Sequence, residues 1–215
     1  MPNLLAKNQL DPDIFELYVT ERLEYIIHEP HNFIKSRHVN FLIGFKGKST
    51  YVKLVDKVQL DIVSFVRLDT EIHFGVEYQV IKLSYSKFPQ RGYVRYVFSI
   101  LLFDFRYYIM SDSLHTIPGS MNFWKKIRKL EGCECRILNI STKWNRLYKN
   151  QQDNAIWGLD DEYFVNGKLD SRLVEDFFSG EVINRDLYDY IVTNQKKISN
   201  KEYLRLFIRV LNNNS

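Results

Sequence analysis

Residues Glu77 to Phe98 read EYQVIKLSYSKFPQRGYVRYVF. The first ten mix apolar and polar side chains with a period near two and include β-branched and aromatic types, the pattern of a half-buried strand. A polar turn follows, and Val94 to Phe105 is then apolar almost throughout, with Arg95, Ser99 and Asp104 as the polar exceptions. Strand, loop and buried helix in succession set a helix N-terminus just beyond the end of a strand. Backbone N–H groups at such a terminus lack intrahelical partners and favour an anion, so the turn around Arg91 and Gly92 is the first candidate for a phosphate-cradling loop.

Upstream of this unit the period stays at two. VNFLIGF (39–45), STYVKLV (49–55), VQLDIVSFVRL (58–68) and EIHFG (71–75) are strand-like runs joined by short polar turns, GKS and LDTE among them, and predict an antiparallel meander. Before it, Asp11 as a cap, Pro12 in the first turn, and Ile14, Leu17, Tyr18, Leu23 and the Ile26/Ile27 pair at helical spacing predict a packing helix that ends by Pro30.

Downstream, YYIMSD (107–112) reads as a short strand. Ser120 to Leu130 reads as an amphipathic helix with Met121, Trp124, Ile127 and Leu130 on one face. CECRILNIST (133–142) is a further strand, short helices are expected over 171–178 and 185–193, and YLRLFIRVL (203–211) closes the chain as a strand. The order predicts an α+β fold with one central, mostly antiparallel sheet flanked by helices. A single domain over 1–215 is expected, with an enlarged, partly helical insertion at about 143–199.

The 215 residues suffice for a sizeable core, with 45% hydrophobic and 26% charged residues, and no run approaches the length of apolar chain that spans a bilayer. The N-terminal MPNLLAKNQLDPD lacks the apolar stretch of a secretory leader, so a cytoplasmic location and no membrane partner are expected. Cys133 and Cys135 are expected to stay reduced, on opposite faces of a strand and without further ligands for zinc. A net charge of +4 permits an acidic partner without requiring one. Alanine occurs only at Ala6 and Ala155 while Lys, Asn, Ile, Tyr and Phe abound, the usage of AT-rich coding sequence found in many bacteriophages.

Several constellations bear on chemistry. The five histidines show no paired ligand spacing, and no metal site is expected. His115 lies near Ser111 and Asp112, but no nucleophile-elbow pattern accompanies them. Asp61, Glu77 and Lys82 suggest a metal-dependent nuclease core only superficially, because Glu77 and Lys82 are five residues apart where that chemistry wants two. RGYVRY, WKKIRK and KWNRLYK interleave basic and aromatic residues in a way that can grip phosphates and stack bases. Nucleic-acid contact is weighed on these and not favoured over protein contact.

Three stretches together resemble the GNAT-type N-acetyltransferases. EYQVIKLSYS followed by KFPQRGYVRYVF is similar to that family's central strand, pyrophosphate loop and following helix. YYIMSDSLHTIPGSMNFWKKI resembles a phage-encoded variety in which a strand ends in Ser-Asp, a Thr-x-x-Gly turn follows and the next helix carries a Trp. IWGLDDEYF with the distant YLRLFIRVL is similar to the closing segment. About half of the chain is covered.

The resemblance implies coenzyme A held through Arg91, Gly92 and Tyr93, with Glu77 as the base that accepts the amine proton and Tyr148 as the acid that protonates the departing thiolate. The family's loop pattern, however, puts Gly and Gly/Ala where this chain has Val94 and Tyr96. Bulky residues at the two close-approach positions imply a degenerate loop, no cofactor, and a role as a protein-binding adaptor or regulator. The alternatives are a working acetyl-CoA-dependent N-acyltransferase and an inhibitor of a host defence protein.

Overall fold

Strand β4 (Ile62–His73) and strand β5 (Val76–Ser86) form the longest hairpin among the described residues, with Ile72 opposite Glu77 and Phe65 opposite Tyr85. The computed structural model describes residues 23–31, 38–88, 91–112, 119–149, 164–165, 168–169 and 203–211. Ahead of the hairpin come β1 (Ile26–His28), β2 (Val39–Lys46) and β3 (Ser49–Asp56), each antiparallel to the next. Helix α1 (Tyr93–Phe103) follows β5 and leads to β6 (Ile109–Met110), which lies parallel to β5. Helix α2 (Gly119–Ile127), β7 (Cys133–Asn139) and β8 (Asn145–Leu147) come next. Two-residue strands β9 (Phe164–Val165) and β10 (Lys168–Leu169) pair with each other, and β11 (Leu204–Val210) enters the main sheet.

The main sheet is open, mixed and nine-stranded, in the order β1-β2-β3-β4-β5-β6-β11-β7-β8. All neighbours are antiparallel except β5 and β6, because the α1 crossover returns the chain to the edge of β5 in the same direction. β11 slots between β6 and β7, pairing with both.

The core follows the pleat. Val66, Leu68, Ile81, Ile109, Ile137, Leu206 and Ile208 turn to the side on which α1 stacks Val97, Phe98, Ile100, Leu101 and Leu102, all fully buried. α2 adds Trp124 and Ile127 to the same cluster. On the other face, Tyr78, Val80, Met110, Leu138 and Phe207 form a second cluster, with Val76 and Ile140 packed against it. Strand twist, accumulating from β5 to β7, carries the starting end of β5 toward the finishing end of β7 on this face.

Several expectations change. Ile26 and Ile27 lie on an edge strand, not a helix, since the exposed Ile26–His28 segment pairs with Phe41–Ile43. LDTE is no turn: Asp69, Thr70 and Glu71 continue β4 opposite Val80, Gln79 and Tyr78, because the hairpin reverses later, at Phe74–Gly75. Cys133 and Cys135 share a face, as residues two apart on a strand must, and both belong to the helix-side cluster. Neither is in a disulfide, and burial pushes the Cys133 thiol up to about 11. The part of the first expected helix that precedes Leu23 and the helices expected over 171–178 and 185–193 lie outside the described residues, as does nearly all of the insertion, within which 145–147 is the strand β8.

Candidate functional site

The parallel pair at the centre of the sheet is brief. Gln79 faces Ile109 and Val80 faces Met110, with the Gln79 N–H donating to the Tyr108 carbonyl at 2.8 Å. Beyond that point β5 follows β4 and β6 follows β11. A bulge marks the parting: Arg67 faces Leu83 and Leu68 faces Ile81, so Lys82 has no residue opposite it on β4. On the β6 side the Ser111 N–H donates to the Leu206 carbonyl at 2.7 Å, and the Leu206 N–H donates to Ser111 Oγ at 2.9 Å. A notch therefore opens between the two strands, flanked by Lys82 and Ser84 on one side and Ser111 and Asp112 on the other.

Charged groups gather on the face of this notch away from the helices. Lys82 Nζ donates to Glu71 Oε1 at 2.9 Å, and His73 Nε2 lies 3.1 Å from Glu71 Oε2. Burial alone would push the Glu71 carboxyl up, but the hydrogen bond and charge of Lys82, joined by His73, hold it below its ordinary value. Burial lowers the Arg205 guanidinium from its usual range, while the carboxylates of Glu71 and Asp112 act in the opposite direction. Asp112 is itself buried. On the helix side the buried Ser84 Oγ has no hydrogen-bond partner among the described residues.

At the far end of β5 the turn into α1 has the features of an anion-tolerant helix start. Gly92 is the N-cap with φ of 76°, no side chain caps the helix, and its first turn carries no acidic residue. The first helical bond runs from the Tyr96 N–H to the Gly92 carbonyl at 3.0 Å. Arg91 and Lys87 both bring their cations over the Phe88 ring, at 5.1 and 5.8 Å from its centroid. Tyr93 is half-buried against the core and 6.4 Å from Phe88 between ring centroids. Tyr96, at the second close-approach position, is 7% exposed and belongs to the core cluster, whereas Val94 is half-buried at the helix start.

The candidate catalytic residues do not meet at this turn. Glu77 lies at the opposite end of β5, so nine residues of strand, about 30 Å at ~3.3 Å each, separate it from Ser86. It is exposed and its Oε1 accepts from Gln79 Nε2 at 3.1 Å. Tyr148 follows β8, its N–H donating to the Cys135 carbonyl at 3.0 Å, with the Arg128 guanidinium 5.5 Å above its ring. Four strand spacings, about 19 Å, lie between the β5 and β8 positions. The nuclease-like trio is likewise dispersed: Asp61 pairs with Lys87 at 2.6 Å, and Lys82 with Glu71.

His28 and His31, expected at a helix end, instead flank the C-cap of α1. His28 Nε2 is 2.8 Å from Asp104 Oδ2 and His31 Nδ1 is 2.9 Å from Asp104 Oδ1. No cluster of metal-ligating side chains that could hold an ion occurs among the described residues. No helix among them is long and apolar enough to cross a membrane.

Ser84, Glu71 and Arg205 are members of the notch that the sequence did not single out, and the last two carry charge. These two are far apart in the chain, and only the insertion of β11 beside β6 brings their charges together. Compared with protein-family models, with curated proteins and with solved structures, the chain matches none.

Proposed function

We propose that this is a GNAT-like protein, of the variety found in phages, in which the coenzyme A loop has degenerated and whose work is to bind a protein partner as an adaptor or regulator. The resemblance in sequence is supported by the arrangement of its parts: the candidate central strand β5, the turn at Arg91–Gly92, helix α1 and a parallel β6 that parts from β5 after two paired residues. The observation that carries the binding role is the dispersal of Glu77, Tyr148 and Arg91. Glu77 stands about 30 Å along the strand from the end of β5 and Tyr148 about 19 Å across the sheet, so neither adjoins the Arg91–Gly92 turn.

The rival is an acetyl-CoA-dependent N-acyltransferase with an atypical loop, and one observation favours it. Tyr96 lies in the core, which leaves Val94 as the bulk at the start of α1. Calorimetric titration with acetyl-CoA separates the two. The binding role predicts flat heats up to millimolar ligand. Saturable binding that weakens in Arg91→Ala would overturn it in favour of the transferase. An inhibitor of a host defence protein would share the fold and differ in the partner that crosslinking in host lysate captures.

A further inference from the structure

Two of the stretches that interleave basic and aromatic residues, WKKIRK (124–129) and KWNRLYK (143–149), meet on the helix side of the sheet. The register sets Arg146 opposite Ile137, a member of the helix-side cluster. The Asn139 N–H donates to the Trp144 carbonyl at 2.8 Å and the Tyr148 N–H to the Cys135 carbonyl at 3.0 Å, so extended pairing continues past both ends of β8. Trp144, Arg146 and Tyr148, spaced two residues apart, therefore turn to the side on which α2 packs. Tyr148 itself packs against the helix-side cluster.

Contacts join this row to α2. The Arg146 guanidinium lies 5.3 Å from the centroid of the Trp144 ring, and Arg128, just past the end of α2, lies 5.5 Å from that of Tyr148. Burial, and then the charge of Arg128, lower the Lys125 ammonium from its ordinary value, so these two cations are neighbours. Among the described residues no salt bridge engages Lys125, Lys126, Arg128 or Lys129, and Arg128 Nε has no hydrogen-bond partner. From Gly119 to Lys149 the chain carries eight Lys and Arg against two Glu. Of the two, Glu134 is turned to the other face, where Arg209 and Arg136 hold it, which leaves Glu131 in the turn before β7. Like charges gathered without counter-charges repel one another, and an anionic ligand relieves that cost.

We propose that this face, from Lys125 and Arg128 at the end of α2 to Arg146 and Trp144 along β8, binds double-stranded nucleic acid through its phosphate backbone. A guanidinium stacked on a ring is held in place, and its fork of donors matches the oxygens of a phosphate. Because the Tyr148 and Trp144 rings hold arginines, the surface presents cations to phosphates more than ring faces to bases. Protein interfaces are poor in lysine, whereas nucleic-acid interfaces are strongly positive and a duplex carries one charge per ~1.7 Å of its axis. Lys125, Lys126 and Lys129 beside the two arginines suit the duplex. The inference does not depend on the fold-family reading.

Fluorescence anisotropy with the full chain and fluorescein-labelled DNA duplexes of two unrelated sequences and equal length tests it. Saturable binding of both is expected, about micromolar at low salt and weakening steeply as salt rises. Binding to a labelled oligoglutamate, or to a single strand of the same length, should be weaker. Arg146→Gln and Lys125→Gln should each weaken duplex binding severalfold and reduce the salt slope by about one. Lys57→Gln removes the same charge at the turn between β3 and β4 and should leave binding within about twofold. Trp144→Ala deletes the ring under Arg146 but no charge, so it should weaken binding and keep the salt slope. No anisotropy change at low salt up to high micromolar protein overturns the inference. So does an equal loss in Lys57→Gln and Arg146→Gln, since binding would then follow net charge and not this face. Tighter binding to the single strand or to oligoglutamate overturns it as well, the latter assigning the face to an acidic protein.

Discussion

Glu71 joins β4 to the bulged residue of β5 through a single carboxylate. Its two oxygens are divided between Lys82 and His73, and its charge reaches Arg205. Because Lys82 is the extra residue of the bulge, the pair also pins the point at which β5 leaves β6. The native carboxyl is held below its ordinary value of 4.5, so the unfolded chain binds the proton more readily. The stability that this contributes is present above that value and is lost as pH falls through the lower, native one. Glu71→Gln should therefore lower the melting temperature at pH 7, and the gap from the parent should close as pH falls through the lowered native value. A gap that stays constant across that range in thermal melts would mean that the charge is not what matters. None of this was legible at the residue scale. Period-two patterning marks Glu71 only as a polar strand residue, and its partners are fixed by a bulge and a distant strand that no local pattern announces.

Among the elements, those with a strong period and a local partner were legible and those that depend on distant packing were not. Strands β2, β3 and β5, helix α1 and the last strand fall where the alternation and the apolar run put them, because each buries a face that the sequence marks. β1 was misread since Ile14 through Ile27 fits a helical stripe, whereas Ile26 and Ile27 end up exposed on a sheet edge and carry no burial signal at all. β4 runs on through LDTE although Asp and Thr read as turn residues. Asp69 is instead buried and accepts from Ser49 Oγ at 2.7 Å, a cross-strand bond that pattern cannot show. Helix α2 was legible for its amphipathic face, and Trp124 is its anchor, fully buried between Phe123 and the core. Its indole N–H has no partner among the described residues. Trp124→Ala should cost about 3–5 kcal/mol of unfolding free energy through the cavity it leaves. Trp124→Phe should cost much less, because it refills most of the space and removes a buried donor without a bond. Denaturant melts of the two variants check the order; equal losses would mean that the indole nitrogen is satisfied.

For the molecule as a whole, β11 is the strand on which the halves of the sheet depend. Leu204–Val210 pairs with β7 along its whole length and with β6 at Phe207 and Ile208, and Arg209 Nε donates to Glu134 Oε1 at 2.7 Å across the same join. Without it, β7 and β8 have no ladder to β6, and both β6 and β7 present bare edges that invite pairing with other chains. The strand is also far from β6 in sequence, so its pairing must close a long loop, whereas the meander and the α1 crossover rest on contacts between neighbours in the chain. Removing residues from 203 onward should accordingly abolish a single cooperative unfolding transition in calorimetry and promote association. Leu206→Ala, which removes a fully buried side chain but leaves the backbone ladder, should keep one transition at a stability lower by about 2–5 kcal/mol. Adding a synthetic peptide of residues 203–211 to the shortened chain should restore part of the cooperativity, since backbone pairing on two open edges is what an added strand supplies. A shortened chain that still melts in one transition at the parent temperature would show that the two halves of the sheet are held together elsewhere.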